Sequence, residues 1–356
     1  MFGSGRRTSI LALAAVAVVG FAQGAEAAAK QKRGKQAGRA QHQRVAAERL
    51  VTAVRKGQPN VQALAALVLD DGGHVVYAHN PDKERPIASI SKLAAMLAIA
   101  DKNVELEGLS TINKGDAELA RGGAKSRLLE GMTLSNRDLL HAALMGSDNR
   151  AVPALGRSVK MNPTQLTAAM NAKVRALGLK NTRFHEPTGL STGNVSTPRE
   201  AIVMLKEVIA HPVLGPITRR DIYDAHPVGK PPIRYVNTDR RAARSNVEVL
   251  GGKTGYNDDA RYCLVIATKV DGHNYFMAFL GDEGKMTRFG DVARVADWII
   301  SHPQPTVPPV PPAKLGSASS TAVASAPASE PTAPSPVPVG VAAPEPEQAP
   351  TSSATP

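Results

Sequence analysis

Two Asp-Gly turns stand 200 positions apart in this chain, at Asp71-Gly72 and Asp271-Gly272, and apolar runs of strand length flank each one. An Asp-Gly pair in that setting is a strong local signal for a β-hairpin. The first predicts strands over Val61–Leu69 and near His74–Ala78, and the second predicts strands over Tyr262–Lys269 and Asn274–Gly281. Between the hairpins the pattern turns helical. Thr197-Pro198-Arg199-Glu200 combines an N-cap, a proline at the first helical position and a capping-box acid, opening a helix to about Ala210. Ser135 with Asp138 opens a helix over Asn136–Met145, and Asn162-Pro163 opens another that ends near Gly178. Phe289, Val292, Val295, Ala296 and Ile299 share one face of a last helix, which should pack on a sheet with Trp298 as a neighbouring packing residue. No internal repeat interrupts this order. Hairpin, helices, hairpin, helix predicts an α+β fold of three α/β/α layers. One antiparallel sheet is assembled from both ends of the core, with helices on both faces and a helical insertion between.

The ends of the 356-residue chain have other compositions. Arg6 and Arg7, an apolar stretch from Ile10 to Phe21 and the small-x-small site Ala25-Glu26-Ala27 mark residues 1–27 as a cleaved secretory signal. That apolar stretch is short for a bilayer span, so no transmembrane anchor is expected after cleavage, and an exported, periplasmic protein is. Residues 28–45 carry six basic side chains and no acid and should be disordered, while 303–356 hold 15 of the 27 prolines and should form an extended tail. The folded core is therefore expected over 46–302. It carries a formal +7 of the total +12, so much of the positive charge belongs to a solvated arm and not to a nucleic-acid footprint. Aromatic residues make up 4% of the chain, too few for a base-stacking platform. A single cysteine excludes a disulfide framework and a thiolate metal cage.

Three short motifs lie along the core. Ser89-Ile90-Ser91-Lys92 opens an almost wholly apolar helix to about Ala100, which belongs in the interior. Ser89 would meet free backbone N–H groups at that helix start, and Lys92 lies one turn on, on the same face. Burial would lower the lysine pKa and give a neutral amine able to take the serine proton. A helix-capping serine with a surface lysine would show the same letters. Ser147-Asp148-Asn149 sits on a tight loop between helices, where Ser147 could relay a proton and Asn149 could offer both a donor and an acceptor to a substrate amide. Lys253-Thr254-Gly255, after Gly251-Gly252 and just before a strand, suits the carboxylate end of a peptide laid on a sheet edge. Read singly, the last two are a capped helix junction and a glycine-rich strand entry.

Taken together, at separations of 58 and 106 residues, the motifs resemble those of the penicillin-recognising serine D,D-peptidases and serine β-lactamases. Pro86-Ile87-Ala88-Ser89-Ile90-Ser91-Lys92, Glu186-Pro187-Thr188-Gly189-Leu190-Ser191 and Gly252-Lys253-Thr254-Gly255-Tyr256, followed by Cys263-Leu264-Val265, look most like low-molecular-mass D-alanyl-D-alanine carboxypeptidases and endopeptidases. The resemblance covers 46–302 and implies a β-lactamase/transpeptidase-like fold. It implies Ser89 as acylated nucleophile, Lys92 as its base and Ser147 as part of the proton relay. Asn149 would hold the substrate backbone and Lys253, Thr254 and Gly255 its terminal carboxylate end. The backbone N–H groups of Ser89 and Tyr256 would form the oxyanion hole. Peptidoglycan peptides would be the substrates and β-lactam antibiotics covalent inhibitors, with no cofactor and no metal. The chain departs from the family pattern at Ala260-Arg261-Tyr262-Cys263, where Ala-Gly-x-Cys is usual, and at Asn257, where threonine is common.

Two other readings compete. A class A β-lactamase carries Glu-x-x-Leu-Asn, whereas the position four beyond Glu186 is Leu190. A non-catalytic wall-binding protein of the same fold would have no use for an intact set of nucleophile, base and carboxylate-binding positions. His74, His141 and His185 have no metal-ligand spacing, no Gly-x-Ser-x-Gly elbow is present, and Cys263 in an apolar strand reads as packing. The core ends near His302 with no recognisable second β-domain, which favours an endopeptidase-like enzyme.

Overall fold

The computed structural model describes residues 57–239, 242 and 247–302. The signal, basic leader and proline-rich tail expected from the sequence lie outside these residues. Five antiparallel strands form the central sheet: β1 (Ala65–Asp70), β2 (Val75–His79), β9 (Glu248–Asn257), β10 (Arg261–Val270) and β11 (His273–Asp282), in the order β2-β1-β11-β10-β9. Both ends of the core supply it, as the paired hairpins predict. Three two-stranded ribbons decorate the rest: β3 (Arg85–Pro86) with β6 (Val195–Ser196), β4 (Leu109–Thr111) with β5 (Thr133–Ser135), and β7 (Ile222–Ala225) with β8 (Ile233–Val236).

The second hairpin is a two-residue turn in which Asp271 and Gly272 both take positive φ, +48° and +82°, the geometry that matches strand twist. The first is longer than Asp71-Gly72 suggests. Its left-handed residue is Gly73, and the Asp70 carboxylate accepts the His74 N–H at 2.8 Å, so strand pairing resumes only at Val75. β1 likewise begins at Ala65, four residues later than the apolar run.

Alternation along the strands sends successive side chains to opposite faces, and here both faces are buried. Ala66, Val68, Leu264, Ile266, Met277 and Phe279 meet Phe289, Val292, Val295, Ala296 and Ile299 of the last helix. Ala65, Leu67, Cys263, Val265, Ala267, Ala278 and Leu280 face the helical insertion, and several of these are small, which lets helices approach closely. The helices are α1 (Lys92–Ala100), α2 (Lys114–Leu119), α3 (Asn136–Leu144), α4 (Ala151–Ser158), α5 (Pro163–Ala176), α6 (Pro198–Ala210), α7 (Leu214–Arg219) and α8 (Thr287–Ser301). α6 begins where the sequence places it, with the Thr197 side chain accepting the Glu200 N–H at 3.2 Å. α1 is buried along eight of its nine residues and runs through the middle of the insertion, as an all-round apolar helix must. Trp298 packs beside the α8 face and donates its indole N–H to the Gly57 carbonyl at 2.8 Å. Among the described residues no helix is long and apolar enough to cross a membrane.

Candidate active site

Ser89 lies in a single 3-10 turn, Ala88–Ser91, that leads into α1, so Lys92 and not the serine is the first α-helical residue. Ala88 holds φ +47°, a left-handed conformation costly for a residue with a Cβ. Two glycines clamp this turn. A Cβ on Gly189 would sit 2.3 Å from the Ala88 carbonyl oxygen, and one on Gly255 would sit 2.5 Å from that of Ile87. Both positions therefore need glycine so that the 186–194 loop and edge strand β9 can press on the nucleophile turn.

Lys92 is fully buried, and its Nζ lies 2.9 Å from Ser89 Oγ, 2.6 Å from Asn149 Oδ1 and 2.6 Å from the Thr188 carbonyl oxygen. The amide and carbonyl oxygens can only accept. A neutral amine donating to both turns its lone pair toward the Ser89 hydroxyl. Burial lowers the Lys92 pKa to about 8, against the opposing pull of Glu186 and Asp148. At pH 7 about a tenth of the enzyme then carries the free amine, some hundreds of times more than for an ordinary lysine.

Lys253 is equally enclosed, and its ammonium reaches Ser147 Oγ and the Thr254 carbonyl oxygen, each at 2.9 Å. Its pKa is pushed down by burial and then by the positive charges of Lys92 and Arg288, with Asp239 opposing. Two like charges in one buried site cannot both persist cheaply, so one amine gives up its proton. A substrate carboxylate at Lys253 would hold the charge there and leave Lys92 as the neutral partner.

The structure thus brings Ser89, Lys92, Ser147, Asn149, Lys253 and Thr254 to one place from three separate segments. Two expectations need correction. Lys253-Thr254-Gly255 lies inside the ten-residue edge strand β9, not ahead of it. The carboxamide oxygen of Asn149 is taken by Lys92, so only its NH2 edge is open to a substrate backbone. Ser147 stands on the loop between α3 and α4 with φ +58°, another left-handed residue at the site. Tyr256 is half exposed, its ring stacked on Tyr262 at 4.3 Å between centroids, beside the cleft.

Several supporting groups escaped sequence reasoning. Glu186 accepts the backbone N–H groups of Thr188, Gly189, Leu190 and Ser191 at 2.6–3.2 Å, along with the Thr188 hydroxyl. Its carboxylate is consumed in shaping the loop that offers Thr188 O to Lys92, which leaves it poorly placed as a hydrolytic base. Thr238 accepts the Thr254 hydroxyl at 2.8 Å and ties itself to the Met145 carbonyl. Arg288, on α8, donates to the Gly255 and Cys263 carbonyls at 3.0 and 3.2 Å and braces β9 from behind. Cys263 is buried and burial raises its thiol pKa to about 11, which makes it inert packing. His141 stacks on Tyr223 with centroids 3.5 Å apart, away from any ligand cluster. Among the described residues no group of three His, Cys, Asp or Glu side chains is placed to hold a metal ion.

The two departures from the family pattern also acquire a structural setting. The Asn257 side chain caps the turn after β9 by accepting the Ala260 N–H at 2.7 Å. Arg261 sits at φ +60°, where the glycine usual at this position would be relaxed, and its Nε is buried without a partner. Arg261→Gly should therefore raise stability by about 0.5–1 kcal/mol after the entropy cost of glycine is subtracted. A urea midpoint that fell instead would show the turn is unstrained.

A family model described as D-alanyl-D-alanine carboxypeptidase matches residues 52–284. A D-alanyl-D-alanine endopeptidase of Escherichia coli is 34% identical over 274 residues, 76% of this chain and 86% of that protein. One from Pseudomonas aeruginosa is 35% identical over 252 residues, 69% of this chain and 80% of that protein. The crystal structure of a D-alanyl-D-alanine carboxypeptidase from Mycobacterium tuberculosis superposes with a TM-score of 0.62 at 27% identity, covering 69% of this chain and 94% of that one.

Proposed function

The chain belongs to the D-alanyl-D-alanine carboxypeptidase family, and from that premise we propose that Ser89 is its acylated nucleophile and Lys92 the general base. The protein is a serine-type D,D-peptidase acting on peptidoglycan. The observation that carries the residue assignment is the Lys92 amine, 2.9 Å from Ser89 Oγ with its other two contacts fixed on carbonyl-type acceptors. Ser89 Oγ attacks the carbonyl carbon of a D-Ala–D-Xaa bond as its proton passes to Lys92. Backbone N–H groups of Ser89 and Tyr256 receive the oxyanion. The Ser147 hydroxyl, held by Lys253, hands its proton to the leaving amine and is re-protonated by the proton that Lys92 took from Ser89, so the C–N bond breaks with Ser147 restored and Lys92 neutral again. Water then attacks the acyl-enzyme, again with Lys92 as base, and frees Ser89. Lys253 and Thr254 hold the substrate's terminal carboxylate, Gly255 lets the peptide approach the strand, and Asn149 holds its backbone.

β-Lactams mimic the scissile amide and would leave a slow acyl-enzyme, because Glu186, the glutamate on the loop beside Lys92, is spent on that loop's own N–H groups. This argues against a β-lactamase, and an intact nucleophile–base pair argues against a purely binding role. Within the family the reading is endopeptidase. The Escherichia coli and Pseudomonas aeruginosa relatives, both above 30% identity, carry that name. The export signal at 1–27 would place the enzyme in the periplasm, where its substrate lies.

Incubating the purified enzyme with crosslinked wall dimers and with uncrosslinked pentapeptides tests the preference. Dimers should be opened to monomers at least about tenfold faster than free D-alanine is released from pentapeptides. The reverse ratio would reassign the enzyme as a carboxypeptidase.

A further inference from the structure

A second concavity of about 500 Å³ adjoins the Ser147–Asn149 loop, and no proposed catalytic residue lines it. Its charged wall is Lys114, Arg121, Lys125 and Arg150 against Glu118 and Glu130. Lys114 is matched with Glu118 at 4.0 Å, whereas among the described residues neither Arg121 nor Lys125 has a carboxylate partner. Arg150 donates one guanidinium N–H to the Leu128 carbonyl, while its Nε is buried without a partner. The cavity is thus a built, net-positive recess, of a size that takes one peptide side chain and its neighbours.

Its link to the chemistry is direct. Gly123 on its wall stands so close to Asn149 that a Cβ there would lie 2.2 Å from Asn149 Nδ2. Ser126, on the same wall, donates its hydroxyl to the Asp148 carboxylate at 2.7 Å. A substrate with its terminal carboxylate at Lys253 and its scissile carbonyl at Ser89 would carry its acyl half past Asn149, the residue that the Gly123 wall of this recess abuts. We propose that the recess is a subsite for a free carboxylate on the acyl half of the stem peptide, recognised by Arg121, Lys125 and Arg150. The inference rests on the D,D-peptidase reading and names the substrate chemistry that reading leaves open.

The test uses the full-length mature enzyme and two matched D-Ala-D-Ala peptides, one with a free side-chain carboxylate in its acyl half and one with that group as the carboxamide. Exposed ion pairs are individually weak, so the expected preference in kcat/KM for the carboxylate is about five- to tenfold at low salt, narrowing at 0.5 M salt. In the Arg121→Gln, Lys125→Gln double variant the ratio should fall to within about twofold of one. A ratio near one in the unaltered enzyme, while it still takes penicillin covalently, would overturn the subsite alone. A ratio that survives both substitutions would also overturn it. An enzyme that cleaves neither peptide and takes no penicillin would overturn the parent reading and this one with it.

Discussion

Lys92→Met should lower kcat/KM for D,D-peptide cleavage by about 10³- to 10⁴-fold while the protein remains folded. Methionine fills nearly the same volume, and the loss of a buried amine removes a desolvation cost that offsets the unpaired Asn149 and Thr188 oxygens. Far-UV circular dichroism and a thermal melt check the fold, and steady-state hydrolysis checks the rate. The pH profile carries the sign. Below about pH 8 the Lys92 amine is protonated and has no lone pair for the Ser89 proton, so acylation should fall about tenfold per pH unit toward acid. Above that value it should level off. The variant's residual rate should lack this limb. A flat wild-type profile between pH 6 and 9 would remove Lys92 from the role of base.

The second large effect is expected at Lys253. Lys253→Met removes the cation that meets the substrate's terminal carboxylate and the contact that holds Ser147 Oγ at 2.9 Å. Truncating one member of a buried charge pair typically costs 2–5 kcal/mol, so acylation by a D,D-peptide should drop about 10²- to 10³-fold. A matched substrate whose terminal carboxylate is amidated should be cut slowly by both enzymes, with the variant losing at least tenfold less on it than on the acid. Comparing the two substrates and two enzymes as a cycle isolates the charge contact. Equal losses on both substrates would mean Lys253 supports Ser147 without holding the carboxylate.

What could be read from the sequence was whatever has a side-chain or turn signature. Asp271-Gly272 declares its turn because both residues accept positive φ, and Thr197 with Glu200 declares a helix start because their hydrogen bonds are local. Ser89, Lys92, Ser147 and Lys253 stand out because each motif names a reactive group. Geometry that depends on the backbone was hidden. The Thr188 carbonyl that orients Lys92 has no letter of its own, and Glu186 earns its position through four N–H groups of its own loop. Glycines at 251, 252 and 255 dilute the strand signal of β9, so the third motif reads as lying before a strand although it lies within one. Arg288 looks in sequence like a charge at a helix start, and only the tertiary fold turns it under the Gly255 carbonyl.

Two of the eight non-glycine residues with left-handed backbone among the described residues stand where the chemistry is proposed. Ala88 and Ser147 hold left-handed backbone without being glycine, and the two glycines clamping the Ser89 turn admit no Cβ. Such geometry persists only where surrounding contacts over-determine it, here the Glu186 loop, strand β9 and the Lys92 contacts. The result is a hydroxyl and two lysine amines fixed in place before substrate arrives, which is the arrangement that lowers an acylation barrier.

The most direct measurement is the chemical address of bound penicillin. The purified protein treated with benzylpenicillin, digested and analysed by mass spectrometry should carry a single penicilloyl group on the Ser89 oxygen, stable over the minutes of the preparation. A modified residue elsewhere, or hydrolysed drug accumulating with no adduct on the protein, would contradict the account.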